Sequence, residues 1–292
     1  MVRFALTGAG GYVAPRHMNA IKETNNDLIC MLDPNDSIGI VDRYFPEARY
    51  FSEFEKFDRY VDKLYRMDKK IDYLSICSPN DFHDSHIRYG LKNNMDVICE
   101  KPLVINPWNL NTLIEMEKES GNRVNCILQL RLHPKIVELK KIVQKSKERY
   151  KINLDYITPR GNWYFYSWKG DRDKSGGLAT NIGIHFFDML MWIFGDSKLS
   201  LVNTNTKKQC SGYLELEKAD VNWSLSIDKK DLPHDEWKAY RSLKINGEEF
   251  DFSSGFEDLH TLSYKEILKG NGYSISDAKN AVQLVYDIRN AR

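Results

Sequence analysis

Three stretches of this 292-residue chain hold side chains whose types and spacing could do chemistry. The first is Gly8-Ala9-Gly10-Gly11, directly after the apolar run Val2-Arg3-Phe4-Ala5-Leu6-Thr7 and before a helix-like pattern from Val13 to about Thr24. Strand, glycine turn and helix N-terminus are what a dinucleotide pyrophosphate needs, because the backbone must turn sharply, approach the phosphates closely and aim N–H groups at them. The third consensus position holds Val13 instead of Gly or Ala, so a plain structural turn is the alternative. The second stretch, Glu100-Lys101-Pro102, follows Val97-Ile98-Cys99 and puts a lysine at a strand end. Beside a cationic nicotinamide, Lys101 would have its pKa lowered by like charge and could accept a proton near neutral pH. Taken alone, it reads better as an exposed, salt-bridging lysine, and it is the accompanying motifs that favour the chemical reading.

The third stretch is Ala179 to Asp188, where Asn181, His185 and Asp188 are spaced by four and then three, so a helix would line them along one face. Flanked by apolar residues, that face is costly to bury unless its polar groups find partners or a ligand. No metal is expected: the face carries one histidine, and the chain has no His-x-x-x-His or Cys-x-x-Cys. Asp33 ends the run Leu28-Ile29-Cys30-Met31-Leu32, 25 residues beyond Gly8, near the spacing at which a carboxylate accepts ribose hydroxyls. It would repel a 2′-phosphate, and no Arg or Lys follows before Arg43, so NAD is favoured over NADP. A turn cap in Asp33-Pro34-Asn35-Asp36 is the other reading.

The elements that must position these groups follow from periodicity. Strand-like Tyr73 to Cys77 ends at Ser78-Pro79-Asn80, where contact with a cofactor's ribose or nicotinamide side is expected, and Glu55–Lys69 and His83–Asn93 read as helices. Strands alternating with helices imply a parallel sheet with its polar residues at the strand ends. After Val124–Gln129 the pattern changes: a helix over 133–147, a strand over 151–157, an aromatic stretch Trp163–Trp168, and a long apolar helix over 178–194. Leu199 to Phe252 shows short alternating runs with Asn246-Gly247 as a hairpin signal, which predicts antiparallel sheet. Helices over 259–269 and 277–288 close the chain, the second capped by Ser276. The expected fold is α/β: an N-terminal Rossmann dinucleotide-binding domain over 1–125 and a C-terminal α+β domain over 126–292 with a large, mostly antiparallel sheet. The last helix could pack back on the first domain.

The 42 basic and 41 acidic residues leave a net charge of +1, so no bulk field argues for nucleic acid or an anionic membrane, and any anion must be met locally. No apolar run of about 18 residues predicts a membrane span, and Met1 to Thr7 reads as a strand instead of a secretory signal. Five cysteines without paired spacing suit core positions in a reduced cytoplasmic setting, and the sequon Asn222-Trp223-Ser224 is then incidental. Arg131, Arg160 and Lys169 are candidates for anionic groups, and Trp163, Tyr164, Tyr166 and Trp168 for a sugar or uracil face. As a strand, the aromatic stretch would send Tyr164, Tyr166 and Trp168 to one side and Trp163, Phe165 and Ser167 to the other. Arg16 and His17 could reach a phosphate or form a solvated helix face.

Gly8-x-Gly10, Ser78-Pro79-Asn80 with His83 and His86, Glu100-Lys101-Pro102, and Gly176-Gly177 leading to His185-x-x-Asp188 together resemble the glucose-fructose oxidoreductase, inositol dehydrogenase and MocA family over essentially the whole chain. A narrower resemblance is carried by Gly10–His17, Gln129–Pro134, Ile157–Tyr164, Ser167–Asp171 and Ala179–Asp188. These segments are similar to the subgroup of NAD-linked UDP-N-acetylglucosaminuronate 3-dehydrogenases. Many members of the wider family carry Asp where this chain has Asn181, which exchanges no proton at neutral pH; the subgroup shares the Asn.

The resemblance implies NAD as cofactor, held by Gly8, Gly10, Gly11, Tyr12, Val13, Asp33, Ser78, Asn80, His83, Glu100, Lys101 and Gln129. It implies Lys101 and His185 as catalytic residues, with Arg131, Arg160, Ser167, Thr180 and Asn181 on the sugar. It also implies oxidation of a UDP-sugar uronate at the 3-hydroxyl in O-antigen and lipopolysaccharide synthesis, and a partner aminotransferase acting on the product. A 2-keto acid could recycle NAD, and the chain would form a homo-oligomer, tetramer or dimer. Another sugar or polyol dehydrogenase, an NAD-dependent glycosidase and a non-catalytic NAD-binding sensor are the competing readings.

Overall fold

The computed structural model describes residues 1–252, 255 and 258–291; Ser253, Ser254, Phe256, Glu257 and Arg292 lie outside the described residues. The chain divides into two compact units, one of Met1–Val104, Trp108–Gln129 and Glu257–Ala278, the other of Ile105–Pro107, Leu130–Phe256 and Lys279–Arg292. The change of unit therefore falls after Gln129, not after residue 125, and a stretch from the C-terminal part of the chain joins the first unit.

The first unit is built on β1 (Arg3–Thr7), β2 (Asp27–Leu32), β3 (Arg49–Phe51), β4 (Tyr73–Ile76), β5 (Asp96–Cys99) and β6 (Val124–Cys126). They lie in the order β3-β2-β1-β4-β5-β6, every pair parallel. The helices α1 (Ala14–Glu23), α2 (Phe54–Arg66), α3 (His83–Lys92) and α4 (Trp108–Ser120) alternate with the strands. Parallel strands covered on both faces read as continuous apolar runs, which is why Phe4, Ala5 and Leu6 are all fully buried. The strand order reverses between β1 and β4, and a sheet of this kind takes its ligand at the carboxyl ends of the strands flanking such a reversal. β3 is short and lay unread in the sequence.

The second unit contains α5 (Pro134–Lys145), β7 (Tyr150–Ile157), α6 (Trp163–Tyr166), α7 (Arg172–Ser175) and α8 (Ile184–Phe194). Its sheet is completed by β8 (Ser197–Asn205), β9 (Gln209–Leu216), β10 (Ala219–Ser226), β11 (Tyr240–Ile245) and β12 (Glu248–Glu249), in the order β12-β11-β7-β10-β9-β8. The β7–β10 pair is parallel and the other pairs are antiparallel, so the sheet is mixed because β7 inserts between strands that come after it in sequence. Asn246 and Gly247, with φ of 52° and 90°, form the expected turn between β11 and β12. Leu214, Leu216, Val221, Trp223 and Leu225 give the sheet a buried face. Phe187 of α8 sets its ring edge-on to Trp223 at 5.1 Å, and Phe194 lies 5.5 Å from Tyr150.

The long apolar helix is interrupted. Ala179–Gly183 is π-helical, and Ile184 begins the regular α-helix. The helical run Arg172–Phe194 is long and apolar enough to cross a bilayer by length and composition, contrary to the sequence expectation, but 78% of its apolar window is buried within the protein. That makes it a core helix.

The helices α9 (Leu259–Leu268) and α10 (Ile275–Asn290) end the chain. It is α9, not the last helix, that belongs wholly to the first unit, where Tyr264 and Ile267 join the core around Phe4, Met18 and Ile21. The start of α10 is fixed by Ser274, two residues earlier than Ser276: the Ser274 N–H donates to Asp277 Oδ2 at 2.8 Å and the Asp277 N–H donates back to Ser274 Oγ at 3.3 Å.

Within the second unit, Arg131 and Asp188 form a buried bidentate pair, Nε to Oδ2 at 3.0 Å and Nη2 to Oδ1 at 2.7 Å, with 7% and 2% exposure. Removing one partner would strand a buried charge, at a cost of about 3–5 kcal/mol. Asp188→Ala should therefore lower the urea midpoint markedly, while Arg131→Met combined with Asp188→Leu should recover most of the loss; an unchanged midpoint in the single variant would contradict a structural role.

Candidate active site

The glycine turn occupies the crevice between β1 and β4. Gly8 has φ of 82°, and a Cβ there would lie 2.4 Å from the backbone of Cys77 and Ser78, so only glycine lets the two strand ends approach. Gly11 is nearly as confined, with a would-be Cβ 3.0 Å from the Gly8 carbonyl oxygen. The exposed Gly10 donates its N–H to Asp33 Oδ2 at 2.8 Å, while Asp33 Oδ1 accepts from the Asn35 N–H at 2.9 Å. Asp33 thus ends β2 beside the turn, only 5% exposed, and serves as a turn cap too. Val13 caps the start of α1 in right-handed helical backbone, a position that needs no glycine, and Pro15 lies in the first turn. Tyr12 is 82% exposed, with the Arg16 guanidinium 5.8 Å from its ring centre. Gln129, half-buried, holds its Oε1 without a hydrogen-bond partner among the described residues. A cradle that a side chain would fill, a helix N-terminus behind it, a carboxylate at the end of β2 and an orphaned amide oxygen fit a dinucleotide without a 2′-phosphate.

Five of the other residues expected at the cofactor or a phosphate are buried. Ser78 Oγ and Thr7 Oγ1 both approach His86 Nδ1, at 2.9 and 3.1 Å. Burial, and then the neighbouring His83, push the His86 pKa down to about 4, so the ring is neutral at neutral pH with its Nδ1 between the two hydroxyls. His83 is buried, its Nδ1 2.7 Å from the Pro102 carbonyl and its Nε2 2.9 Å from the Ser78 carbonyl, so it braces two strand-end loops. Glu100 is 7% exposed and receives His17 and His260 on one oxygen. His17 lies neither in solvent nor on a phosphate: it is fully buried in α1. Asn80 is buried in a single helical turn before α3, whereas Lys101, between buried Glu100 and buried Pro102, is half-exposed.

His17, Glu100 and His260 bring three possible metal ligands within 4.8 Å of one another, a grouping that sequence spacing did not reveal because the residues lie in three separate segments. The separations from each imidazole Nε2 to Glu100 Oε1 are 2.9 Å, hydrogen-bond contacts that need no ion.

The aromatic stretch of the second unit is helical, not extended. Gly170 sits so close to Phe165 and the Tyr164 carbonyl that a Cβ would meet them at 2.6 Å, and the chain folds back on itself there. Strand alternation fails accordingly: Tyr164 is buried, while Trp163 and Tyr166 are 54% and 91% exposed. Asn181 Nδ2 donates to the Tyr164 hydroxyl at 3.2 Å. Lys169 lies 5.6 and 5.1 Å from the Trp163 and Trp168 ring centres, and its pKa is lowered first by burial and then by the Arg160 charge. Arg160 also acts on Tyr164, whose pKa burial raises. Arg160, Lys169, Tyr164 and Asn181 therefore form one aromatic-flanked cationic group suited to an anionic sugar.

Ser167 Oγ donates to the Tyr164 carbonyl at 2.8 Å, so its hydroxyl serves the turn. Thr180 is fully buried against Gly176, its hydroxyl oxygen without a hydrogen-bond partner among the described residues. Arg131, expected on the sugar, turns its Nε and Nη2 to Asp188 of the same helix that carries His185. Asn181 and His185 are each half-buried, with Asn181 inside the π-helical turn, a distortion common at functional sites.

A WlbA (WbpB) dehydrogenase from Thermus thermophilus, solved with NAD and α-ketoglutarate and again with NAD and UDP-GlcNAcA, is 45% identical over 100% of this chain and 96% of its own, at a TM-score of 0.96. A WlbA dehydrogenase from Bordetella pertussis, solved with NADH and UDP-GlcNAcA, shares the fold at 18% identity and a TM-score of 0.79, over 98% of this chain and 94% of that one. The D-glucoside 3-dehydrogenase of Escherichia coli is 25% identical over 230 residues, 75% of this chain and 63% of that protein. The chain spans less than two thirds of the length of the first curated relatives it matches. Residues 2–127 match the NAD-binding Rossmann-fold model of the Gfo/Idh/MocA oxidoreductase family, and residues 147–231 match its C-terminal α/β model. By both halves of its sequence and by its strand order, the chain belongs to the Gfo/Idh/MocA family of oxidoreductases.

Proposed function

We propose that this chain is an NAD-dependent dehydrogenase that oxidises the sugar 3-hydroxyl of UDP-N-acetylglucosaminuronate to the 3-keto sugar. The observation that carries the reading is 45% identity along the whole chain to the Thermus thermophilus WlbA solved with NAD and UDP-GlcNAcA. Gly8, Gly10, Gly11 and Asp33 would hold the dinucleotide. NAD, when bound, supplies the acceptor for the hydride leaving sugar C3.

Lys101, as the neutral amine, takes the proton of the 3-hydroxyl on Nζ. His185 hydrogen-bonds that oxygen, and Asn181 orients the sugar without exchanging a proton. Arg160 and Lys169 meet the carboxylate or a phosphate, a local compensation that a net charge of +1 makes necessary. A 2-keto acid would reoxidise the NADH and itself become a 2-hydroxy acid; the Thermus thermophilus protein was also solved with α-ketoglutarate. The 3-keto product suits an aminotransferase, which supports a role for the chain in the synthesis of O-antigen and related surface sugars. Five buried cysteines, none in a disulfide, suit a cytoplasmic setting for it, as a dimer or tetramer.

Incubation with NAD, UDP-N-acetylglucosaminuronate and a 2-keto acid should give a sugar lighter by two hydrogens in mass spectrometry. An eliminated nucleotide would favour a glycosidase, and an untouched sugar would contradict any dehydrogenase of this substrate. Lys101→Met should lower turnover by about 10²-fold while NAD still binds; near-normal turnover would remove Lys101 from its role. Asp33→Ser should weaken use of NAD by about 10-fold or more and narrow its advantage over NADP, as read from kcat/KM with each cofactor; an unaltered preference would detach Asp33 from the ribose.

A further inference from the structure

Beneath the Lys-Pro turn lies a buried polar chain that the reaction, as outlined, does not use. Glu100 Oε1 is 2.9 Å from His17 Nε2 and 2.9 Å from His260 Nε2. His17 Nδ1 is 2.8 Å from the Tyr264 hydroxyl, and that hydroxyl is 2.7 Å from Ser75 Oγ. All five residues belong to the first unit, and none is more than 7% exposed.

The chemistry of the groups fixes the direction of every bond. A carboxylate oxygen only accepts, so both imidazoles present an Nε2–H to Glu100. Burial lowers the His17 pKa, more than Glu100 beside it restores, so the ring is neutral and its Nδ1 is an acceptor. Tyr264, whose pKa burial raises well above the usual range, keeps its proton and donates it to that Nδ1. Ser75 then donates to the Tyr264 oxygen. Burial opposes ionisation of Glu100, yet the two imidazole bonds overcome it and hold its carboxyl well below the ordinary range. Glu100 thus carries a fixed negative charge, and each bond from Ser75 through Tyr264 and His17 to Glu100 has one donor and one acceptor.

The charge sits on the residue immediately before Lys101. The Glu100 N–H is itself tied to the Ile76 carbonyl at 3.1 Å, and on the other side of Lys101 the Pro102 carbonyl meets His83 Nδ1 at 2.7 Å. Lys101 therefore springs from a peptide anchored on both sides, with α1, α9 and β4 supplying the anchors before it and α3 the one after it. We infer that His17, His260 and Tyr264 are positioning residues of the reaction, acting through Glu100 to hold Lys101 where it can take the sugar proton. This rests on the assignment of Lys101 as proton acceptor, and the test separates the two.

His260→Leu removes one N–H from Glu100, whereas His260→Gln keeps an amide N–H at a comparable reach. Each is made in the full chain, alone and together with Lys101→Met, and assayed with NAD and UDP-N-acetylglucosaminuronate, product being counted by mass spectrometry. His260→Leu should lower kcat by about 10-fold or more, with KM for NAD within about 3-fold, and His260→Gln should recover most of the loss. With Lys101→Met present, His260→Leu should cost less than about 2-fold more, because groups acting as a unit are not additive. Should His260→Leu not fold, Tyr264→Phe deletes one O–H, keeps the ring, and is read by the same cycle with an expected loss of about 3-fold or more. A full-sized loss in the Lys101→Met background, no rescue by Gln, or an unchanged kcat would overturn the inference. Wild-type turnover in Lys101→Met alone would overturn the assignment of Lys101 and this inference with it.

Discussion

A carboxylate withdrawn from water must be paired, and Glu100 is the point at which that rule binds the first unit together. Its partners come from residue 17 and residue 260, so β5 can end as it does only if α1 and α9 lie where they do. The stretch 257–278 is therefore part of the dinucleotide-binding unit even though the rest of the C-terminal half folds elsewhere. Breaking one imidazole bond would leave a buried charge half-compensated, and burial costs of that kind exceed what a surface ion pair contributes.

The same rule shapes the second unit. Its core helix carries Asp188 among phenylalanines, and Arg131 answers it with a two-bond contact. That leaves Arg160 and Lys169 as the cationic group beside Tyr164 and Asn181, a division of labour between arginines that hold the fold and those that face outward. With acids and bases almost equal in number, selectivity for an anionic ligand has to come from such local clusters.

What could be read from the sequence was local. Gly8 and Asp33 announce themselves because a turn and a strand end are decided by neighbouring residues, and the alternation of strands and helices is decided by periodicity. Partners distant in sequence carry no such signal: nothing around His17 says that it is buried, and nothing around Glu100 says that two histidines will take it. The Ser78–His86 contact and the Arg131–Asp188 pair are hidden for the same reason. Trp163–Trp168 was misread as a strand because aromatic residues favour sheets, whereas the close approach at Gly170, visible only in three dimensions, curls the segment into helical turns. The π-helical turn at Asn181 likewise left no mark on a pattern that reads as one helix.

The proposed reaction stands on sugar C3 giving up its hydrogen to the cofactor. UDP-N-acetylglucosaminuronate deuterated at C3 follows that hydrogen when the protein is incubated with NAD and both cofactor and sugar are recovered for mass spectrometry. NADH carrying the deuterium, beside a sugar that has lost it, is the expected result. Unlabelled NADH, or deuterium retained in an oxidised sugar, would rule the transfer out.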